Sequence, residues 1–150
     1  MARWIKPTSF ALSVLAVGLT AYLTVTHYTD PAALACPDTG VVNCTLVTTS
    51  SWSVIFGAPV AVLGLAWALV MAALTVPRAW RSSMRWIENV RLVVSAAGAA
   101  MVLYLVYVEL FRIGAVCLWC SGVHLTAIVL FGVILAARAS VGDAVRPDAA

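Results

Sequence analysis

LVVSAAGAAMVLYLVYVELF-RIGAV-CLWCSGVHLTAIVLFGVILAA, residues 92–137, contains two long apolar segments separated by five residues. A helix needs about 20 apolar residues to cross the roughly 30 Å of hydrocarbon in a bilayer. Segment 92–111 carries a single charged residue, Glu109, close to its end, and segment 117–137 carries none. Because the connection 112–116 is so short, the two helices should be antiparallel neighbours. The stretch therefore predicts a hairpin of two transmembrane helices.

Two further uncharged segments lie before this hairpin, at about residues 8–28 and 52–76. With them the sequence predicts an all-α membrane protein, a bundle of four transmembrane helices forming one integral membrane domain. The parts between and after the spans are a long polar loop, 29–51, a basic linker, 77–91, and a polar tail, 138–150.

The composition agrees with a membrane protein. The chain is 63% hydrophobic and 10% charged, whereas a soluble domain is about 45–50% apolar and about 25% charged. Too few polar residues are present to cover a water-soluble core. The same composition excludes a disordered chain, and no basic cluster is dense enough to follow the phosphates of a nucleic acid.

The basic residues predict the orientation, because cytoplasmic segments retain Lys and Arg. The amino end, linker 77–91 and tail 138–150 hold Arg3, Lys6, Arg78, Arg81, Arg85, Arg91, Arg138 and Arg146. Loop 29–51 has no basic residue, and connection 112–116 has only Arg112. We therefore expect a multi-pass protein of the cell membrane with both termini cytoplasmic and loop 29–51 outside.

The first span has two alternative interpretations. A cleaved signal peptide has a shorter apolar region, of about 7 to 15 residues, followed by a small-x-small site that is absent directly after this span. The run Ala33-Leu34-Ala35-Cys36 resembles a lipoprotein cleavage box, but Asp30 and Pro31 separate it from the apolar segment. A retained transmembrane helix is favoured over both.

All four cysteines fall on the extracytoplasmic side in this topology. Cys36 and Cys44 lie in the outer loop, and Cys117 and Cys120 lie where the fourth span begins. An even number of thiols in an oxidising compartment indicates disulfide chemistry. Two structural bridges are the simplest interpretation.

The Cys117-Leu118-Trp119-Cys120 pair favours reactive thiols instead. On the first turn of a helix both sulfurs share one face, and the helix dipole with its free N–H groups stabilises a thiolate there. A bridge closing so small a loop would remove little unfolded-state entropy. A zinc site is disfavoured because the Cys36–Cys44 spacing is wide and no His lies beside either pair, so we expect no metal. Arg112 is expected to pair with Glu109 on the same helical face.

The depth of the second pair indicates its reaction partner. Cys120 lies about 5 Å deeper than Cys117, at the edge of the hydrocarbon. A lipid-soluble quinone is the obvious two-electron partner there, whereas a soluble protein can reach the loop pair. Two dithiols, one facing water and one facing lipid, suggest a relay by thiol–disulfide exchange.

These residues together resemble the bacterial form of the vitamin K epoxide reductase family. The similarity rests on the Cys36-x7-Cys44 loop, the Asn-Cys-Thr-Leu-Val run at 43–47 leading to Ser50, the Ile-Phe-Gly-Ala-Pro-Val run at 55–60 with Gly64 beyond, and the Cys-Leu-Trp-Cys run at 117–120. It covers about residues 10–137. The resemblance implies a four-helix bundle around a quinone, capped by the outer loop.

The resemblance also implies roles for individual residues. Cys120 would meet the quinone, Cys117 would exchange with Cys44, and Cys36 would contact the partner protein. Ser50 matches the family's loop serine, which supports the thiol relay or the quinone site. His124 stands where the animal enzymes carry a tyrosine near the quinone ring, and this departure leaves the headgroup contact open.

The remaining candidates have structural alternatives. Trp52, Phe56 and Trp119 could line a quinone pocket or serve as interfacial anchors. Ser50 could cap the helix of the second span, and His124 could bond a backbone carbonyl between helices. Three glycines, Gly57, Gly64 and Gly98, are expected to permit close helix packing rather than to bind a ligand.

The resemblance implies a membrane thiol:quinone oxidoreductase that supports disulfide bond formation. Its partners would be a separate extracytoplasmic thioredoxin-fold dithiol protein, since residues 138–150 are too few for a fused domain, and a quinone of the menaquinone, ubiquinone or vitamin K type. Reduction of vitamin K quinone or epoxide is compatible with it.

Two rival hypotheses remain. In the unrelated disulfide bond formation protein B family the C-x-x-C pair lies between the first two spans, whereas here it opens the fourth. A non-enzymatic membrane protein whose disulfides only fix the outer loops is the rival from another class.

Overall fold

The fold is known from a computed structural model that describes residues 3–81 and 84–145. Two stretches of the predicted cytoplasmic segments, 82–83 in the linker and 146–150 with Arg146 in the tail, lie outside the described residues. The helices are α1 (Ile5–Thr29), α2 (Cys44–Thr49), α3 (Val60–Thr75), α4 (Arg85–Val108) and α5 (Leu118–Val145), and the strands β1 (Val54–Ile55) and β2 (Ala58–Pro59) form a hairpin.

Three helical segments are long and apolar enough to cross a membrane, which makes the chain a membrane protein. They are Ile5–Thr29, Arg85–Ile113 and Leu118–Ser140, and they contain the predicted spans 8–28, 92–111 and most of 117–137. The second segment, Arg85–Ile113, runs through α4 into a π-helical turn, Glu109–Ile113.

The predicted span 52–76 was wrong in its first eight residues, because its helix begins only at Val60. The residues before it form a short 3-10 turn, Ser51–Ser53, and the β1–β2 hairpin. Phe56 and Gly57 both have positive φ, 52° and 80°, as a two-residue hairpin turn requires. Gly57 therefore serves the turn rather than helix packing. Helix α3 has 16 residues and is about 24 Å long. The span was predicted too long because the residues of the hairpin are as apolar as those of the helix.

Small side chains bring the helices together. Helix α3 packs chiefly on α1, and α5 packs on α1 and α4. At Gly64 of α3 an added Cβ would lie 3.3 Å from the Thr20 methyl of α1, so the two backbones approach closely. Nearer the amino end of α1, the Thr75 hydroxyl donates a hydrogen bond to the buried Ser13 hydroxyl, at 3.0 Å.

One end of the bundle gathers the basic segments. Arg91 is buried, donates from Nε to the Leu74 carbonyl at 3.0 Å, and stacks over the Trp80 ring at 3.7 Å. Trp80 also packs against a cluster that joins Ile5 of α1 to Ala137 of α5. The beginning of α1, the linker and the later part of α5 therefore share one end, and the cysteines lie at the other.

Gly98 gives a test of how tightly this bundle is packed. An added Cβ would lie 2.5 Å from the ring of Trp67, whose Nε1 donates to the Val94 carbonyl at 2.9 Å. Overpacking costs about 1–3 kcal/mol, which outweighs the roughly 1 kcal/mol that alanine gains over glycine in a helix. We expect Gly98→Ala to lower the thermal unfolding midpoint in detergent.

Gly132 of α5 is the matched control, because an added Cβ there meets nothing within 4 Å. Gly132→Ala should keep or raise the midpoint. A Gly98→Ala variant that unfolds no earlier than Gly132→Ala would contradict the packing assigned to Gly98.

Candidate functional site

The outer loop is fastened to the bundle beside the C-x-x-C pair. Val42 and Val116 form a parallel β-bridge, in which the Asn43 N–H donates to the Val116 carbonyl at 3.1 Å and the Val116 N–H donates to the Val41 carbonyl at 2.8 Å. Cys44 comes two residues after Val42, and Cys117 comes directly after Val116. The bridge therefore brings two cysteines 73 positions apart in the sequence to the same place.

Cys44 and Cys117 are buried in one cluster. Their exposed fractions are 1% and 0%, and Cys36 and Cys120 pack at its edge, each partly buried. Cys36 and Cys44 form a disulfide, whereas Cys117 and Cys120 are free thiols. The loop pair thus has an outer sulfur, on Cys36, and an inner sulfur, on Cys44, that lies with Cys117.

Cys117 lies just before α5 begins, in the position of a helix cap. Its Sγ accepts a hydrogen bond from the Cys120 backbone N–H at 3.2 Å. A hydrogen bond from the Cys120 side chain is the main cause that lowers the pKa of the Cys117 thiol below its ordinary value. The beginning of α5 therefore stabilises a thiolate on Cys117.

Trp119 holds the loop in place. Its Nε1 donates to the Ala35 carbonyl at 3.0 Å, and its ring packs on Tyr22 with the centroids 4.6 Å apart. The Tyr22 hydroxyl accepts the Ala35 N–H at 3.3 Å. Both aromatic residues thus fix the backbone next to Cys36, and Trp119 is not among the residues that line the cavity described next.

A cavity of about 310 Å³ lies between α1, α3, α4 and α5, beneath the loop helix α2. Apolar side chains make up most of its wall, and Cys120 opens onto it. Ligand sites for small molecules are typically 300–1,000 Å³, mostly apolar, with a few polar groups. The polar and ionisable residues on the wall are Thr20, His27, Thr48, Ser50, Ser53, Glu109, Cys120 and His124. The cavity fits an apolar ring with polar substituents.

The structure brings three of the five proposed quinone contacts to this cavity. Ser50, Trp52 and His124 line it together with Cys120. Phe56 is fully exposed at the tip of the β1–β2 hairpin, where it fits the alternative role of an interfacial anchor.

The structure excludes the alternative role of Ser50 as a cap and contradicts the expected pairing of Arg112. Ser50 does not cap the helix of the second span, because it ends α2, where its hydroxyl donates to the Val47 carbonyl at 2.8 Å. The Arg112 guanidinium lies over the Trp52 ring, 5.0 Å from its centroid, so among the described residues the expected Glu109–Arg112 pair is not formed. The π-helical turn that contains both residues changes their register from that of an ordinary α-helix.

Sequence reasoning missed Glu109 as a site residue. Glu109 is buried and lines the cavity. The sequence contained a signal for this role, because a carboxyl within a transmembrane segment is a functional candidate by default. Assigning Arg112 as its partner concealed that signal.

The described residues contain no group of three or more His, Cys, Asp or Glu that could hold a metal ion.

The sequence model of the Vitamin K epoxide reductase family matches residues 7–135, which is most of the chain. The protein belongs to this family. The resemblance found in the sequence is thereby confirmed, and with it membership of a family of membrane oxidoreductases that act with quinones. Residues 7–135 include both cysteine pairs and every residue that lines the cavity.

Proposed function

We propose that this member of the vitamin K epoxide reductase family is a membrane thiol:quinone oxidoreductase. It passes electrons from an extracytoplasmic thioredoxin-fold protein through Cys36 and Cys44 to Cys117 and Cys120, and from there to a quinone. The observation that carries the proposal is the common burial of Cys44 and Cys117, with Cys120 on the wall of an apolar cavity.

The exposures of the sulfurs support this order of transfer. Cys36 is the more accessible member of the loop pair, so a partner thiolate attacks there, and the partner becomes oxidised as the loop disulfide becomes a dithiol. The Cys44 thiolate then attacks Cys117 in an oxidised Cys117–Cys120 pair and releases Cys120 as a thiolate, which takes up a proton. Attack by Cys36 on Cys44 restores the loop disulfide and leaves the helix pair reduced.

The arrangement of bonds in the structure corresponds to the end of this exchange. The loop pair is a disulfide and the helix pair carries two thiols. At the end of the exchange two electrons are on Cys117 and Cys120, and Cys120 lines the cavity. The N–H of Cys120 stabilises Cys117 when it leaves as a thiolate in the exchange step, and the Cys120 sulfur is the one next to the quinone.

The cavity supports a quinone as the electron acceptor. Its volume and apolar wall suit a quinone ring, and the Ser50 hydroxyl and the His124 imidazole are groups that can hydrogen-bond a carbonyl oxygen. The Trp52 ring, with Arg112 on it, forms another part of the wall. Menaquinone, ubiquinone and vitamin K quinone or epoxide all have the apolar body and polar oxygens that this site requires.

The proposed topology has four membrane crossings with both termini in the cytoplasm. The end of the bundle that gathers Arg91, Trp80 and the start of α1 is rich in basic residues, as cytoplasmic segments are. Helix α3 is the short crossing, and the β1–β2 hairpin precedes it at the end of the bundle that holds the cysteines. Loop 29–51 and both cysteine pairs are then outside, where a thioredoxin-fold protein can support disulfide formation.

The test is quinone reduction by the purified chain in detergent. A reduced thioredoxin-fold protein and a short-tailed ubiquinone are supplied, and quinone absorbance is followed. We expect steady reduction by the native chain and only the background rate for Cys117→Ala, because the exchange with Cys44 has lost its acceptor sulfur. Ser140→Ala, on the same helix but outside the site, should retain the native rate.

Two outcomes oppose the proposal. Native-like turnover in Cys117→Ala would remove this cysteine from the electron path. No quinone reduction by the native chain, with the Cys36–Cys44 bridge intact, would favour the rival hypothesis of a membrane protein whose disulfide only fixes the loop.

A further inference from the structure

Glu109 is a buried carboxyl that the electron relay does not use. Its residue is 6% exposed, and its backbone carbonyl accepts the N–H groups of Gly114 at 2.9 Å and Ala115 at 3.2 Å, which closes the π-helical turn between α4 and α5. Burying a carboxyl without a compensating partner is costly. Ionisable groups inside membrane proteins and single π-helical turns are both frequent at functional sites.

The surroundings of Glu109 connect it with the redox site. The backbone carbonyl of Glu109 accepts the Ala115 N–H, two residues before Cys117, so the end of α4 lies beside the helix pair. Glu109 lines the same cavity as Cys120 and His124. Arg112, the nearest basic residue along the chain, is directed to Trp52 instead. The carboxyl thus lies on the wall of the proposed quinone cavity together with one sulfur of the dithiol.

Quinone reduction needs protons as well as electrons. When the Cys117–Cys120 disulfide forms, the two thiols lose two electrons and two protons. The two quinone oxygens gain two electrons and two protons as the hydroquinone forms, so the overall reaction is balanced without another reductant. The protons must nevertheless cross from sulfur to oxygen inside an apolar cavity, where water is scarce.

We propose that the Glu109 carboxyl carries these protons from the thiols to the quinone, an inference that rests on the proposed function. The carboxylate takes a proton from a thiol sulfur as the disulfide forms, and the resulting carboxylic acid gives that proton to a quinone oxygen. Each transfer returns Glu109 to its ionised form. Its place on the cavity wall with Cys120 puts the carboxyl within the site that both donor and acceptor share.

A pair of substitutions separates proton transfer from a structural role. Glutamine at position 109 keeps the size of the side chain and its polar oxygen, but it cannot carry a proton. Aspartate keeps the acid on a shorter side chain. Each variant is reduced with a phosphine, freed of reductant, and mixed with excess short-tailed ubiquinone while the absorbance of the first turnover is recorded.

We expect Glu109→Gln to slow the first turnover about 10²- to 10⁴-fold, the range attributed to a positioned acid or base. Glu109→Asp should retain more of the rate than Glu109→Gln. The affinity for the quinone, measured by quenching of tryptophan fluorescence, should be unchanged in both. The same substitution at an exposed glutamate of α4, Glu88→Gln, is the control and should react as fast as the native chain.

Several results would overturn the inference: a rate for Glu109→Gln within about threefold of the native rate, or equal losses in Glu109→Gln and Glu109→Asp, or a loss confined to quinone affinity. If Glu109→Gln does not fold, Glu109→Ala with added formate serves instead. Faster reduction with formate supports proton transfer, and no acceleration opposes it. Failure of the native chain to reduce the quinone would count against the proposed function, whereas a fast Glu109→Gln in an active background counts only against this role.

Discussion

Cys120→Ser should accumulate a Cys44–Cys117 disulfide and abolish quinone reduction. The two sulfurs lie in one buried cluster, and the Cys117 thiolate is stabilised by hydrogen bonds at the start of α5. The Cys117 thiolate attacks Cys44, the Cys44–Cys117 bond forms, and Cys36 leaves as a thiolate. In the native chain Cys120 can attack Cys117 and remove this linkage. In Cys120→Ser only the returning attack of Cys36 on Cys44 can remove it, so the Cys44–Cys117 disulfide accumulates. Peptide mass spectrometry of the unreduced protein, after alkylation of free thiols, identifies the linkage.

Cys117→Ser is the matched control for this experiment. It removes the sulfur that should attack Cys44 and leaves Cys120, which is three residues further along α5 and lines the cavity. We expect only the Cys36–Cys44 linkage in that variant. A Cys120→Ser chain that also shows only Cys36–Cys44, with Cys117 fully alkylated, would contradict the proposed order of exchange.

The second large effect concerns the number of quinones that one chain can reduce. A fully reduced native chain holds two dithiols, and each dithiol supplies the two electrons that one quinone takes. After reduction with a phosphine and removal of the reductant, the native chain should reduce two quinones. Cys36→Ser should reduce only one, because Cys44 without its neighbour cannot complete a disulfide exchange. The count is obtained by titrating the chain with ubiquinone and following its absorbance.

Steady turnover should change even more in the same variant. With a reduced thioredoxin-fold protein as the electron source, Cys36→Ser should show only background turnover, since the accessible sulfur of the loop pair is gone. Cys44→Ser should behave in the same way in both measurements. Two quinones reduced by Cys36→Ser, or one by the native chain, would show that the loop pair does not deliver electrons to the helix pair.

Much of the architecture followed from the distribution of charge. Long uncharged segments predicted three helices that the structure contains, since a lipid environment tolerates few charges and requires helices of nearly fixed length. The segment 52–76 shows the limit of this reasoning. Residues 54–59 are apolar like a helix, but the positive φ of Phe56 and Gly57 turns the chain into a hairpin, and hydropathy contains no information about that turn.

The candidate site was predictable where it depends on local chemistry. In a C-x-x-C pair at the start of a helix, the two cysteines are three residues apart, so the local helix geometry sets their relative positions. The hydrogen bond from the Cys120 N–H to the Cys117 sulfur is a local contact of this kind. Trp119 shows the opposite case. Its place one residue before Cys120 suggested a cavity lining, but the indole reaches Ala35, 84 positions away along the chain, and that contact depends on where the loop lies.

The sequence by itself determined that the chain is a membrane protein of the vitamin K epoxide reductase family, because composition, span length and cysteine spacing are properties of the chain alone. The tertiary structure decided which sulfurs meet and what faces the cavity. The Val42–Val116 bridge places Cys44 with Cys117, and the π-helical turn directs Arg112 to Trp52 and leaves Glu109 on the cavity wall with Cys120. These are contacts between distant segments, which depend on how the loop and helices pack, and no local pattern of residues specifies them.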